Sequence, residues 1–450
     1  MSPTVATLLT IVVVAFLLWQ EAAAYEVRSP ALWLPVFWLC VTGSRFVSQW
    51  MSLGSSTDVA YSDGSAVDAF YFLTLIVAAF WVLVQRQVRL GEVIANNKWL
   101  FALVAYGLVS IAWSDFPFIA LKRWIKTLGH PLMALVILTE PNATAAVRSV
   151  LKRCSFFLLL FSVLFIKYLP EYGRGFDAWS GQAFNNGIGV AKNELGQVCM
   201  VFGIFFIWNL LTLKRHPDGS PPLKEIAFGL GFVGIDLWLL VLADSATSKS
   251  TMALGVVTML ALGWRIVSKR YFGTFVVFIL LTAVTIESAF NVYAQVLALL
   301  GRNPSLTDRT IVWADVLALQ DQPIFGFGFE SFWLGRRLDI LWAKWWWKPN
   351  QAHNGYIETY LNLGGIGVFL LFGMLASTFH KISKQLLTDL AFARLRFAFL
   401  FAIVAFNYTE ATFKAVHFIW TIFYIFAMDY PKRDSLPTDA TRRYEWQQVK

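Results

Sequence analysis

The sequence predicts an all-α, polytopic integral membrane protein with about 12–13 transmembrane helices and one large extracytoplasmic loop. Three observations predict it. Of 450 residues, 57% are hydrophobic and only 14% charged, where a soluble domain keeps roughly a quarter charged. Uncharged runs recur at about 17–25 residues, the length a helix needs to cross the hydrocarbon core. Lipid leaves helices or closed barrels as spanning structures, and the period-two alternation of a barrel is absent.

Candidate spans run over roughly 4–19, 31–50, 67–84, 99–113, 127–139, 154–169, 195–213, 226–243, 251–267, 272–290, 355–379, 397–409 and 415–428. The first has no basic region before it and no small-residue cleavage site, so it reads as a span rather than a signal peptide. Basic residues gather in the short connections. Arg86, Arg89 and Lys98 form one group, Arg148, Lys152 and Arg153 a second, and Lys214, Arg215 and Lys224 a third. Arg265, Lys269 and Arg270 form a fourth; Lys381, Lys384, Arg394 and Arg396 form a fifth, and the tail adds Lys432, Arg433, Arg442 and Arg443. An alternating count puts all six groups on the cytoplasmic face. The organisation that follows is a membrane domain over 1–428, with a 291–352 loop on the outer face, and a cytoplasmic tail over 429–450. The net charge of +9 is thereby an anchoring pattern and not a nucleic-acid footprint. Cys40, Cys154 and Cys199 lie in or beside apolar runs without metal-ligand spacing, as packing residues do.

The outward loop is the puzzle. It carries Arg302, Arg309, Arg336, Arg337, Lys344 and Lys348 on the side where basic residues are scarce. Long loops escape the charge bias, and this one can balance its own Asp308, Asp315, Asp321, Glu330 and Asp339. An anionic ligand at the outer surface explains the surplus equally well. Lys122, Arg123 and Lys126, then Lys192-Asn193-Glu194, then the Asp244–Ser250 connector with Lys249, meet the same face. Ionisable groups at membrane depth point to function by default, although a single lysine more often snorkels.

Other signals fall away. Gly229-Leu-Gly231-Phe-Val-Gly234 matches a dinucleotide pattern inside a span, where small residues serve helix packing. Asn142-Ala-Thr144 and Asn407-Tyr-Thr409 match glycosylation sequons at a cytoplasmic position and a helix end. No paired-carboxylate motif suits a metal-bound nucleotide sugar. Trp342, Trp345, Trp346 and Trp347 read most simply as an interfacial belt. Of five histidines, His353 alone falls on the outward face, beside Asn354; its simplest role is a helix-start histidine bonding backbone.

Four blocks then act together. They are Trp113-Ser-Asp-Phe-Pro-Phe-Ile-Ala-Leu-Lys-Arg123-Trp, Gly189-Val-Ala-Lys192-Asn193-Glu-Leu-Gly196, Arg309-Thr-Ile-Val-Trp313 with Pro323-Ile-Phe-Gly-Phe-Gly328, and His353-Asn354-Gly-Tyr-Ile-Glu358 with Gly364-Gly-Ile-Gly367. Through them the chain resembles the O-antigen ligase and O-antigen polymerase superfamily, nearest its exopolysaccharide-polymerase branch. One departure is Lys249, where many relatives place arginine, which alone offers a bidentate fork. The resemblance implies an inverting, metal-independent glycosyltransferase of the bacterial inner membrane with a periplasmic active face and no cofactor. Its donor would be an undecaprenyl-pyrophosphate-linked oligosaccharide and its second substrate a glycan acceptor, within the lipid bilayer. His353 is then the expected base and Arg309 the expected pyrophosphate clamp, with Arg123, Lys192, Asn193, Lys249 and Asn354 as substrate-binding candidates. The alternatives are a ligase acting on a lipid A core or a protein, and a transporter or flippase of the same lipid. A transporter would show internal repeats and a polar site near the bilayer midplane; no repeat is found.

Overall fold

The computed structural model describes residues 1–24, 29–51, 65–176, 181–215, 220–276 and 309–430. Within them the chain is helical apart from one small antiparallel hairpin, Arg174–Phe176 with Ala183–Asn185. Seven helices are long and apolar enough to cross a membrane, from Pro3–Ala24 to Leu390–Thr409. An eighth exists if Leu90–Asn96 and Lys98–Trp113, bent by 103°, form one broken span.

The expected count of about 12–13 is therefore not reached among the described residues, for two reasons. Part of the 272–290 candidate lies outside them. Other candidates are short helices, buried within the protein. Gly129–Leu138 and Phe418–Ala427 have 10 residues each, and almost every one is buried. Apolar runs of that length are core helices, and a helix apolar all round is an interior one. The two pack on each other. Between them Thr421 takes the Trp38 indole N–H at 2.9 Å and meets His130 Nδ1 at 2.8 Å.

Around this centre, Lys192–Leu211 packs on Leu223–Ala243 and Ala246–Gly263, and Ala246–Gly263 packs on Leu390–Thr409. Pro3–Ala24 lies along Ala143–Tyr168, and Gly355–Gln385 lies along Lys98–Val109.

The predicted loop is described from Arg309 onward; its 291–308 portion and the tail beyond Tyr430 lie outside the described residues. What is described is a small module with its own core. Helices Arg309–Ala318 and Arg336–Lys344 close over Val312, Val316, Phe327, Phe332 and Leu341. Trp345 and Trp347 pack against that core, so these two are structural, and only Trp346 of the set is strongly exposed.

The module is spliced into the Gly355–Gln385 helix, which breaks at Gly364 (φ 64°, ψ −165°). Non-helical backbone inside a spanning helix must find partners in protein. Here Leu361 and Asn362 carbonyls accept the Phe327 and Gly328 N–H groups at 3.2 and 2.9 Å. In return Gly365 and Ile366 N–H donate to the Pro323 and Ile324 carbonyls at 2.8 and 3.2 Å. A Cβ on Gly364 would collide with the Ile324 carbonyl, and one on Gly326 with the Asn362 carbonyl. The two glycine-rich motifs are thus the two sides of one backbone contact.

Candidate active site

The break in that helix leaves its first turns free to present the residues before them. Asn354 caps the helix, its Oδ1 accepting from Tyr356 and Ile357 N–H at 3.0 and 3.1 Å. Its Nδ2 donates to the Tyr408 carbonyl at 3.0 Å. Gly355 N–H donates to the Glu410 carbonyl at 3.1 Å. Two chain segments, 353–355 and 408–410, are therefore stitched side by side. His353 sits at the seam with φ +51°, a left-handed conformation that costs a non-glycine residue about 1 kcal/mol. Its neighbour Ala352 is held at both backbone groups: the N–H donates to Glu358 at 2.6 Å and the carbonyl accepts from the Trp313 indole at 2.7 Å.

At this seam one carboxylate gathers three side chains. Glu410 Oε1 accepts from Arg309 Nη2 at 2.9 Å and from Asn193 Nδ2 at 2.6 Å, while Oε2 lies 3.3 Å from His353 Nδ1. Arg309 Nη1 also donates to the Thr409 carbonyl. Burial pushes the Glu410 carboxyl up, but the His353 hydrogen bond and the Arg309 charge outweigh it and hold the group below its usual range. Its side chain is 10% exposed, against 20% for Arg309 and 28% for His353. The carboxylate is sunk, and the imidazole and the guanidinium are more exposed than it is.

Of the loop carboxylates flanking Arg309, one is engaged elsewhere and the other is not described. Asp315 pairs with Lys344 at 2.6 Å and accepts from the Trp345 indole at 2.9 Å; Asp308 lies outside the described residues. Among the candidates, Asn193 joins the seam directly. Lys249 is close by: Thr247, two residues earlier, meets Thr409 Oγ1 at 2.8 Å, and Lys249 itself pairs with Asp244 at 2.7 Å. Lys192 begins the Lys192–Leu211 helix, half-buried. Arg123 is not at the seam; it donates to the Glu330 carbonyl and lines a neighbouring cavity. Asn354 has both ends of its amide committed to backbone, which makes it a positioning residue, and the His353 ring is held by Glu410 instead.

Glu410 is the residue that sequence reasoning missed. It lies 101 residues from Arg309, 57 from His353 and 217 from Asn193. One signal could have found it: a lone carboxylate ending an apolar run on the face that carries surplus cations.

Residues 231–372 match the O-antigen ligase family. Over 325 residues the chain is 27% identical to the exopolysaccharide production protein ExoQ of Rhizobium meliloti (strain 1021), covering 68% of this chain and 70% of that relative. The family segment contains Lys249, Arg309, His353 and Asn354; Arg123, Lys192 and Asn193 precede it, and Glu410 follows it. Both matches bear out the resemblance to that family, and the family match spans the Arg309 and His353 blocks.

Proposed function

From an O-antigen ligase/polymerase-like membrane chain, we propose an inverting glycosyltransferase that extends an undecaprenyl-pyrophosphate-linked glycan without a metal ion. The observation that carries it is the convergence of Arg309, His353 and Asn193 on Glu410.

Each member has a chemical task. With Nδ1 turned to Glu410, the imidazole offers Nε2 to an acceptor hydroxyl. Glu410 fixes the ring and stabilises the imidazolium formed when the proton arrives, as a carboxylate behind a catalytic histidine does. The acceptor oxygen attacks the anomeric carbon of the donor sugar. The bond from that carbon to the pyrophosphate oxygen breaks, and its electron pair leaves with the lipid pyrophosphate. A single displacement inverts the anomeric centre. Negative charge grows on the leaving group, and preorganised Arg309, Lys249 and Lys192 stabilise it electrostatically. The imidazolium then releases its proton to the pyrophosphate or to water.

The test is to incubate purified protein with undecaprenyl-pyrophosphate oligosaccharide and no nucleotide sugar. Longer glycan of inverted linkage supports the proposal, and activity is expected to survive EDTA. Activity abolished by EDTA and restored by Mg²⁺ would remove the cationic clamp from the mechanism. Glycan moved onto a lipid A core or a protein would favour the ligase reading, which the family match also suits. The transporter reading has one observation behind it. Asp236, in the Leu223–Ala243 helix, is fully buried with neither carboxylate oxygen hydrogen-bonded. An Asp236→Asn protein with normal transfer would separate that carboxyl from the reaction. We place the site at the periplasmic face of the inner membrane. Thiol labelling of Asp339→Cys and Glu92→Cys from the same side would overturn that placement.

A further inference from the structure

Beside the Glu410 seam lies a cavity of about 840 Å³, inside the roughly 300–1,000 Å³ range of small-molecule sites. Arg309, His353 and Glu410 do not line it. Its charge is of the opposite sign. Glu194, Glu330, Glu358 and Asp339 line it against Arg123 and Lys414, four carboxylates to two cations. Most of these are engaged by the protein: Glu358 with Ala352 N–H and the Trp333 indole, Glu330 with Ala415 N–H, Lys414 with Gln351. A pyrophosphate gains nothing from such a wall.

Two uncharged polar groups on the same wall have no such engagement. Gln197, on the Lys192–Leu211 helix, is 5% exposed and lines the cavity, yet its amide makes no hydrogen bond to any described residue. The amide carries two donor hydrogens and an acceptor oxygen, and with no partner among the described residues all of them are left to whatever fills the cavity. His417 caps the Phe418–Ala427 helix through Nδ1, which accepts from Ile419 N–H at 3.2 Å. Accepting there puts the ring proton on Nε2, and that N–H has no partner among the described residues either. Trp333 and Trp342 add ring surface.

We propose that this cavity binds an uncharged sugar residue of the glycan, whose hydroxyls meet the Gln197 amide and the His417 Nε2–H. Hydroxyls donate and accept, as the amide requires, and carry no charge for the carboxylates to repel. The proposal rests on the glycan-transfer reading and divides the site in two, phosphate at Arg309 and sugar at Gln197.

The probes are the lipid-free oligosaccharide released by mild acid from lipid-linked material, and inorganic pyrophosphate. Each is titrated calorimetrically into the full-length protein. Gln197→Leu, which keeps the shape, and His417→Asn, which keeps the helix cap, should each weaken oligosaccharide binding about tenfold and leave pyrophosphate binding unchanged. Equal oligosaccharide affinity in wild type and both variants would overturn the proposal, as would loss of pyrophosphate binding in Gln197→Leu. Failure of the wild type to bind the oligosaccharide at all would do so too. A wild type that binds the oligosaccharide through Gln197 yet forms no product would instead sink the transfer reading alone.

Discussion

The two ends of the helix bundle handle charge in opposite ways. At the end away from the seam, three basic side chains, Arg86, Lys381 and Arg396, each have their own partners. Arg86 meets Glu140 and donates to the Val136 carbonyl at 2.8 Å. Lys381 donates to Asn97 and to the Ala427 carbonyl at 2.8 and 2.9 Å. Arg396 pairs with Asp429 at 2.8 Å and donates to the Phe426 carbonyl at 2.6 Å. At the seam, Arg309, His353 and Asn193 share one carboxylate. Cations with dedicated carbonyls and carboxylates fasten helix ends together. Arg309 also donates to the Thr409 carbonyl, so what marks the seam is a single sunken carboxylate, Glu410, taking three side chains at once. A pattern of partners, more than a count of charges, separates anchoring from chemistry.

The largest expected effect sharpens this contrast at His353. Asparagine tolerates a left-handed backbone and so preserves the seam, but it cannot take a proton. His353→Asn should lower turnover about 10²–10⁴-fold with lipid pyrophosphate binding retained; single-turnover kinetics beside a binding isotherm will show whether the two separate. Arg309→Gln comes next. Losing one charged transition-state contact costs on the order of 3–4 kcal/mol, about 100–1000-fold in rate. Arg309→Lys should recover only part of it, since the planar fork is lost.

Glu410 gives the comparison a pH axis. Its folded carboxyl titrates below its ordinary value, so its contribution is complete above the ordinary carboxylate range and disappears as pH falls through the depressed value. Melting temperature in detergent should therefore drop more steeply between pH 6 and pH 3.5 for wild type than for Glu410→Gln. At neutral pH the variant should be less stable by about 2 kcal/mol. Parallel curves would show that the three side chains do not depend on its charge. The smallest effect on turnover is expected at the other end. Arg86→Gln should lower the melting temperature and leave the rate per folded molecule unchanged. A large loss of rate there would erase the distinction between the two ends.

Much of this was legible in the sequence, and the exceptions have causes. The all-α membrane class follows from apolar run length, and helices fall where the runs do. Hydropathy does not distinguish lipid from protein as the apolar surrounding, so Gly129–Leu138 reads as a span though it is a core helix. The motif blocks name Arg309, His353 and Asn193 through the family resemblance they carry, since by position alone His353 reads as a helix-start histidine. They are silent on Glu410, whose meaning lies entirely in partners far along the chain. They are equally silent on Gln197, which in a run of apolar neighbours looks like a packing residue until its empty hydrogen-bonding capacity is seen.

The splice between Gly326 and Gly364 carries a consequence for biogenesis. Residues 355–385 leave the ribosome as one apolar segment, and an isolated segment in lipid has every reason to stay continuously helical, since a break exposes its carbonyls. The break becomes favourable only when residues 323–328 arrive with their own N–H and carbonyl groups. The turns carrying Glu358 and Asn362 therefore reach their final setting after insertion, at docking of the preceding segment. The geometry of the helix's first turns is thus set by a segment that precedes them in the chain.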